Sequence, residues 1–140
     1  DIQEEKAADE RDLSTLPKSS FSASSGKGVH DSTLSTTEKG WHGLSEKDQE
    51  PWIQVEFKTE VLPYAVMTFG TKKGCVSKYS IQVSESGKEW KNIGTFNGTS
   101  LGDIPTVNRF SPVVTKYLRL LPEEWDEQLQ LKWNVFYNEL

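Results

Sequence analysis

Apolar and polar residues alternate with period two in several separate windows of this chain. In Trp52-Ile53-Gln54-Val55-Glu56-Phe57, the apolar Ile53, Val55 and Phe57 fall on one side and Gln54 and Glu56 on the other, the pattern of a half-buried strand. The alternation returns in Tyr79-Ser80-Ile81-Gln82-Val83, ahead of the turn residues Glu85-Ser86-Gly87-Lys88 and the run from Trp90 to Ile93. Together they predict a hairpin closed by a Gly turn. Ala65 to Phe69 and Thr115 to Leu121 are two further β-rich runs, the second expected to stop at Pro122 because proline has no N–H to offer a ladder. The longest alternation comes last, with Leu129, Leu131, Trp133, Val135 and Tyr137 on one face and Gln130, Lys132 and Asn134 on the other. Six or more strands without a long amphipathic helix predict an all-β chain, folded as an antiparallel sandwich or barrel.

Upstream of the first strong alternation the signals are weaker. Residues 1–12 are polar and acidic and read as a lead-in, disordered or a frayed helical turn, so the domain is expected to span 13–140. Phe21-Ser22-Ala23-Ser24-Ser25 opens an extended segment, and the Gly-, Ser-, Thr- and Lys-rich stretch from Gly26 to Glu50 reads mostly as loop. A chain of 140 residues suits one domain. Five Trp, six Phe and four Tyr give that domain large rings to bury, so it can fold on apolar burial alone.

Charge narrows the function classes. The formal net charge is −5, of which residues 1–12 carry −4, so the folded part is nearly neutral. Without a basic face to gather phosphates, nucleic acid is not an expected partner. No apolar run approaches the ~20 residues that cross a bilayer, and no signal-type segment opens the chain. The start at Asp1 without Met suggests a processed or excised chain. Cys75 is the only cysteine, which rules out an intrachain disulfide. No base lies near it in sequence, so it reads as a partly buried thiol rather than a nucleophile. Asn97-Gly98-Thr99 is a glycosylation sequon, with Asn97 as the acceptor. The acids Glu123, Glu124, Asp126 and Glu127 around Trp125 read as a solvated corner, since a glycosidase needs two opposed carboxylates in a cleft.

Read in order, several segments resemble the discoidin, or coagulation factor five and eight type C, family from about Leu16 to Tyr137. They are Phe21-Ser22-Ala23-Ser24-Ser25, Pro51-Trp52-Ile53-Gln54-Val55-Glu56-Phe57, Thr68-Phe69-Gly70, Val76-Ser77-Lys78-Tyr79, Ser84 to Trp90, Phe96-Asn97-Gly98, Val107 to Pro112, and Tyr117 to Pro122 with Trp125. The resemblance implies a jelly-roll-like, galactose-binding-domain-like β-sandwich and a non-catalytic module that holds glycans, phosphatidylserine membranes or proteins on loops at one end. It also implies an extracellular or cell-surface setting and a role in adhesion. Two features depart from the family. The disulfide that commonly ties the ends is missing, and the loops Gly26-Lys27-Gly28-Val29-His30-Asp31 and Thr71-Lys72-Lys73-Gly74-Cys75 lack the large apolar side chains of membrane binders.

Function then has to be argued from the loops, because one fold hosts many ligands. A glycan site needs planar polar groups for hydroxyls and a ring for the apolar face of a sugar. Lys27, Val29, His30, Asp31, Trp41, His42, Lys72, Lys73 and Asn108 are the candidate lining, with His30 at the centre on its Gly-flanked loop. Trp41 has two readings, a core ring beneath the loops or a stacking platform. The two histidines lack a recognised metal-ligand spacing, so no transition metal is expected. A structural calcium through loop carbonyls and Asp31 is the one cofactor the resemblance allows.

The expectation is therefore a recognition module for a glycan or glycoprotein. The alternatives are peripheral binding to an anionic membrane through Lys27, Lys72 and Lys73, each worth about 1 kcal/mol near such a surface, or a protein-interaction module of a larger protein.

Overall fold

The structure, a computed structural model, describes residues 10–29, 40–99 and 104–140. Among them are nine strands, with two short 3-10 turns between the first and the second. The strands are β1 (Glu10–Arg11), β2 (Phe21–Ala23), β3 (Trp41–His42), β4 (Ile53–Phe69), β5 (Gly74–Ser84), β6 (Lys91–Asn97), β7 (Thr106–Arg109), β8 (Thr115–Glu127) and β9 (Gln130–Glu139). Every pairing between them is antiparallel. The architecture is the antiparallel sandwich expected from the alternating windows.

The two runs Trp52–Phe57 and Ala65–Phe69 read as separate elements but belong to one strand, β4, of 17 residues. Its first part pairs with β2 and β8, through Val55↔Phe21 and Val55↔Leu118. Its last part pairs with β7 and β9, through Val66↔Asn108 and Val66↔Val135. Between them the ladder to β8 is irregular from Glu56 to Val61, where Lys58, Thr59 and Glu60 are exposed. One strand therefore serves two layers: β2-β4-β8-β5-β6 in the first, and β7-β4-β9 with β1 and β3 both paired to β9 in the second.

Two prolines mark irregularities rather than ends. Pro122 does not stop β8, which runs five residues further, to Glu127. Its missing N–H is tolerated because the β5–β8 register shifts there, between Lys78↔Glu124 and Tyr79↔Pro122. Pro63 lies in β4 where the register against β9 shifts. The sheet also begins earlier than the expected domain start, since Glu10 and Arg11 pair with Asn138 and Tyr137 inside the stretch read as lead-in.

The inward residues are those that the period-two windows pointed to. Ile53, Val55, Phe57, Leu118, Leu120, Leu131, Trp133 and Val135 are buried in one cluster drawn from both layers, joined by Trp41 and Tyr79. The side between β6 and β7 is closed by Phe96 against Phe110, 6.1 Å apart. On the outer face of the first layer, the Arg119 guanidinium stands 3.9 Å from the ring centroids of both Trp52 and Trp90. It also donates to Gln54 Oε1 at 2.9 and 2.7 Å. That stack ties the turn after β5 to β4 and β8, and partial desolvation strengthens each cation–π contact.

Leu118 lies at 0% exposure in the middle of β8 and touches both layers' cluster. Leu118→Ala is expected to cost about 2–5 kcal/mol by the cavity it leaves, read as a fall in the urea midpoint with the slope unchanged.

Candidate functional site

Four connections meet at one end of the sandwich: residues 24–29 after β2, residues 40–50 around β3, the turn from Gly70 to Gly74, and the link from Glu127 to Gln130. The first two are joined by backbone. Lys27 N–H donates to His42 O at 3.3 Å and His42 N–H to Lys27 O at 3.0 Å. This approach needs glycine on both sides of Lys27, since Gly26 and Gly28 have φ of +86° and +81°. A Cβ on Gly26 would stand 1.9 Å from the His42 carbonyl oxygen.

β3 then pairs with β9, placing His42 opposite Gln130 and Trp41 opposite Leu131. Residues directly opposite on antiparallel strands project to the same face. Lys27, His42 and Gln130 therefore form a polar row across three chain segments, while Trp41 and Leu131 point into the core. Two residues along β9 from Gln130, Lys132 shares its face; it is 6% exposed, and its ammonium lies 4.6 Å from the Phe69 ring centroid.

The two-lysine turn is tied to this row through Thr71. Its hydroxyl donates to Gln130 Oε1 at 3.1 Å and accepts the Lys73 N–H at 3.1 Å. Thr71 and Gly74 close the turn by reciprocal backbone bonds of 2.9 and 3.3 Å, and Gln128 N–H donates to Lys73 O at 3.2 Å. Lys72 and Lys73 are left exposed at the tip.

His42 also lines a small hollow of about 190 Å³ with Gly43, Leu44, Ser45, Glu46 and Lys47. The segment that lines it is held from outside by Ser24, Ser25 and Asp48. Ser25 Oγ accepts the Leu44 N–H at 3.1 Å, and Ser25 O accepts the Trp41 indole N–H at 2.9 Å. Ser24 Oγ donates to Asp48 and accepts the Trp52 N–H at 2.9 Å. Against the upward push of desolvation, the hydroxyls of Ser24 and Ser25 and the Glu50 N–H hold the Asp48 carboxyl below its ordinary range.

The candidates from the sequence separate into three groups. Lys27, His42, Lys72 and Lys73 stand together at this end, with Lys27 and both turn lysines exposed and His42 half-buried. Trp41, Val29 and Asn108 are placed otherwise. Trp41 is 0% exposed, so its ring has no free face for a sugar and its role is to support the loops. Val29 is half-buried against the core. Asn108 lies on β7, where its amide donates to Tyr79 Oη at 2.9 Å and to Asn97 O at 2.8 Å. His30 and Asp31 lie outside the described residues. Among the described residues no group of three or more His, Cys, Asp or Glu converges to hold a metal.

Gln130, Lys132, Thr71, Asp48 and Leu44 were not singled out in the sequence. Gln130 and Lys132 occupy the polar phase of the last alternation, which marks them as pointing away from the core but neither as neighbours of His42 nor as covered, although each is 6% exposed. Leu44 is 46% exposed beside the hollow. Cys75 is buried and unpaired. Burial pushes its thiol above the ordinary value, with Asp126 adding to the shift.

A sandwich that gathers short, hydrogen-bonded connections at one end is the architecture of a binding module, and comparison with known proteins gives its family. The model of the F5/8 type C domain matches residues 16–135, and the chain belongs to that family, whose domains are binding modules. Neuropilin-1a of Danio rerio is 30% identical over 118 residues, covering 75% of this chain and 13% of that protein. Coagulation factor V of Sus scrofa is 34% identical over 92 residues, covering 56% of this chain and 4% of the relative. The chain thus spans only a small part of the relatives it matches. Among solved structures, discoidin II of Dictyostelium discoideum superposes with a TM-score of 0.77 at 15% identity, covering 86% of this chain and 55% of that one. The family 32 carbohydrate-binding module of C. perfringens NanJ, in complex with galactose, superposes with a TM-score of 0.70 at 16% identity, covering 91% of this chain and 98% of that one. These two likenesses concern the fold.

Two outcomes follow from the site's construction. Gly26→Ala should open the Lys27–His42 pairing and cost about 1–3 kcal/mol, read by thermal unfolding and by loss of amide-exchange protection at Lys27 and His42. Alkaline stability should also respond to buried groups. Burial raises both the Cys75 thiol and the Tyr79 phenol, so each favours the folded state while protonated. Their contribution is complete below the unfolded values, about 8.5 for Cys and 10 for Tyr, and is lost as pH rises towards the folded ones. The melting temperature should decline above about pH 8.5, and Cys75→Ala should make the first part of that decline shallower.

Proposed function

We propose that this chain is a non-catalytic recognition module that binds a glycan, or a glycan-bearing partner, through the end built from residues 24–29, 40–50 and 70–74. The observation that carries this reading is the row Lys27, His42 and Gln130 beside the hollow under His42 and Leu44. Lys27 and His42 offer their polar groups at fixed spacing, backed by Gln130, which is 6% exposed and bonded to Thr71 and Gln128 and so holds the row in place. Polar groups fixed in this way suit the vicinal hydroxyls of a sugar better than a long apolar chain. The hollow is shallow and small, in keeping with one or two sugar units rather than a deep peptide pocket. The galactose complex of the C. perfringens module supports a carbohydrate as ligand class for this fold. A setting outside the cell, and adhesion as the use of such binding, belong to the same reading.

The same end favours a second reading, binding to anionic membranes. Lys27, Lys72 and Lys73 are exposed there, and Leu44 adds an apolar side chain that the loop sequences alone did not show. Burying one leucine below the headgroups is worth roughly 1.5–3 kcal/mol, and three lysines about 1 kcal/mol each. That sum gives reversible, salt-sensitive attachment. A structural calcium held through Asp31 would belong to either reading, and a calcium-dependent rise in melting temperature that Asp31→Asn removes would reveal it.

Glycan-array binding by the wild type, lost at least tenfold in His42→Ala and in Gln130→Ala while both variants keep the wild-type fold by circular dichroism, is the expected result. Absence of wild-type binding to every glycan on the array would remove the first reading. Co-sedimentation with phosphatidylserine vesicles tests the second: Lys72→Ala plus Lys73→Ala, and separately Leu44→Ser, should each release the protein. Equal sedimentation with phosphatidylcholine vesicles, or no effect of these substitutions, would remove it.

A further inference from the structure

The sequon Asn97-Gly98-Thr99 lies at the end of β6, and the structure treats its two reactive residues in opposite ways. Asn97 is exposed on the last position of an edge strand. Its backbone is paired with Lys78 of β5 and its carbonyl accepts the Asn108 amide at 2.8 Å, while the side-chain amide has no hydrogen bond among the described residues. Thr99 is 2% exposed, and its hydroxyl lies within 2.9 Å of Thr68 O, 3.1 Å of Ile104 O and 3.3 Å of Thr106 Oγ1. Its N–H is also taken, donating to Val76 O at 3.0 Å. In the folded protein the acceptor amide faces solvent while the hydroxyl that a glycosylating enzyme must read is locked inside.

We propose that Asn97 carries an N-linked glycan and that it is attached before the β6–β7 region closes. The donor is an oligosaccharide on a lipid pyrophosphate. A bond forms from Asn97 Nδ2 to the anomeric carbon, the bond from that carbon to the pyrophosphate oxygen breaks, and the amide gives up one proton as the lipid pyrophosphate leaves. Recognition of the Thr99 hydroxyl requires that group to be free of Thr68, Ile104 and Thr106, which the folded chain does not provide. Folding then withdraws Thr99 and leaves the modified side chain on the surface.

Position sets the modification apart from the Lys27 side of the loop end. Across the first layer, β6 is four strand spacings from β2, about 19 Å at ~4.8 Å each, with β4, β8 and β5 between. The connection carrying Lys27 leaves from β2. A glycan on Asn97 therefore stands on the edge away from Lys27, opposite Lys78 and four residues along β5 from the Gly74 end of the lysine turn, and it covers the outer backbone of β6. An exposed edge strand is a template for pairing with another chain, and a bulky polar group there blocks it.

This inference rests on the reading of the chain as one that passes through the secretory route, so the experiment supplies that route. The 140-residue chain is expressed in human cells behind an added signal peptide. The secreted protein should show a mobility shift that N-glycosidase removes, with Asn97 converted to Asp in the peptide mass. Asn97→Gln should lose the shift and keep the melting temperature, whereas Thr99→Ala should lose the shift and also lower the melting temperature, on the order of 5 °C. Thr99→Ser should keep both the glycan and most of the stability. Secreted wild type without a glycan would overturn the site. The order of events is read by presenting bacterially made protein to microsomal membranes, folded in one arm and held unfolded in the other. Modification of the unfolded arm alone is expected, and equal modification of the folded arm would overturn the requirement for an open chain. Glycan-array binding by Asn97→Gln scores the functional reading separately, since that variant leaves the loop end untouched.

Discussion

Everything at the loop end depends on β4 serving both layers. Because its first part pairs with β2 and β8 and its last part with β9 and β7, the two sheets are covalently continuous through a bend at Glu56 to Val61. That bend lies at the end away from the loops, so the strand leaves the loop end at Ile53 and returns to it at Phe69. The connection before β4 and the turn after it, which carries Lys72 and Lys73, are thereby brought to the same end. Burial of Ile53, Val55, Phe57 and Val66 in a common cluster holds the two layers together.

Rigidity of the site is inherited from that core. Trp41 fills space beneath the loops and gives its indole N–H to Ser25 O, while one residue on, His42 faces the opposite way. A strand of only two residues is enough to sort a supporting ring from a candidate ligand contact. Ser25, Asp48 and Ser24 then accept the N–H groups of Leu44, Glu50 and Trp52, and Thr71 accepts that of Lys73 in the lysine turn. A site fixed by backbone hydrogen bonds loses little entropy when a ligand binds, an advantage for a weak, polar ligand such as a sugar.

The sequence made the strands legible wherever one face was apolar and the other polar. Period two was therefore strong in β5 and β9. It was misleading where a strand changes layers, since β4 reads as two runs separated by Lys58-Thr59-Glu60-Val61-Leu62-Pro63-Tyr64. Pro122 misled for a related reason: a proline ends a regular ladder but is accommodated at a register shift, and register is a property of the partner strand. The short strand β3 left no period to read, because it is two residues long.

Alternation and turn residues by themselves determined an antiparallel sandwich or barrel, because they are local consequences of burying one face of each strand, and the ordered segments carried the resemblance to the F5/8 type C family. The loop residues were legible only as a list. Tertiary structure decided which of them share a face. Trp41, Val29 and Asn108 turned to the core or to other strands, and Lys27, His42 and Gln130 came into one row. Those choices depend on antiparallel register between segments up to about a hundred residues apart in sequence, as in the row from Lys27 to Gln130, which no local pattern encodes.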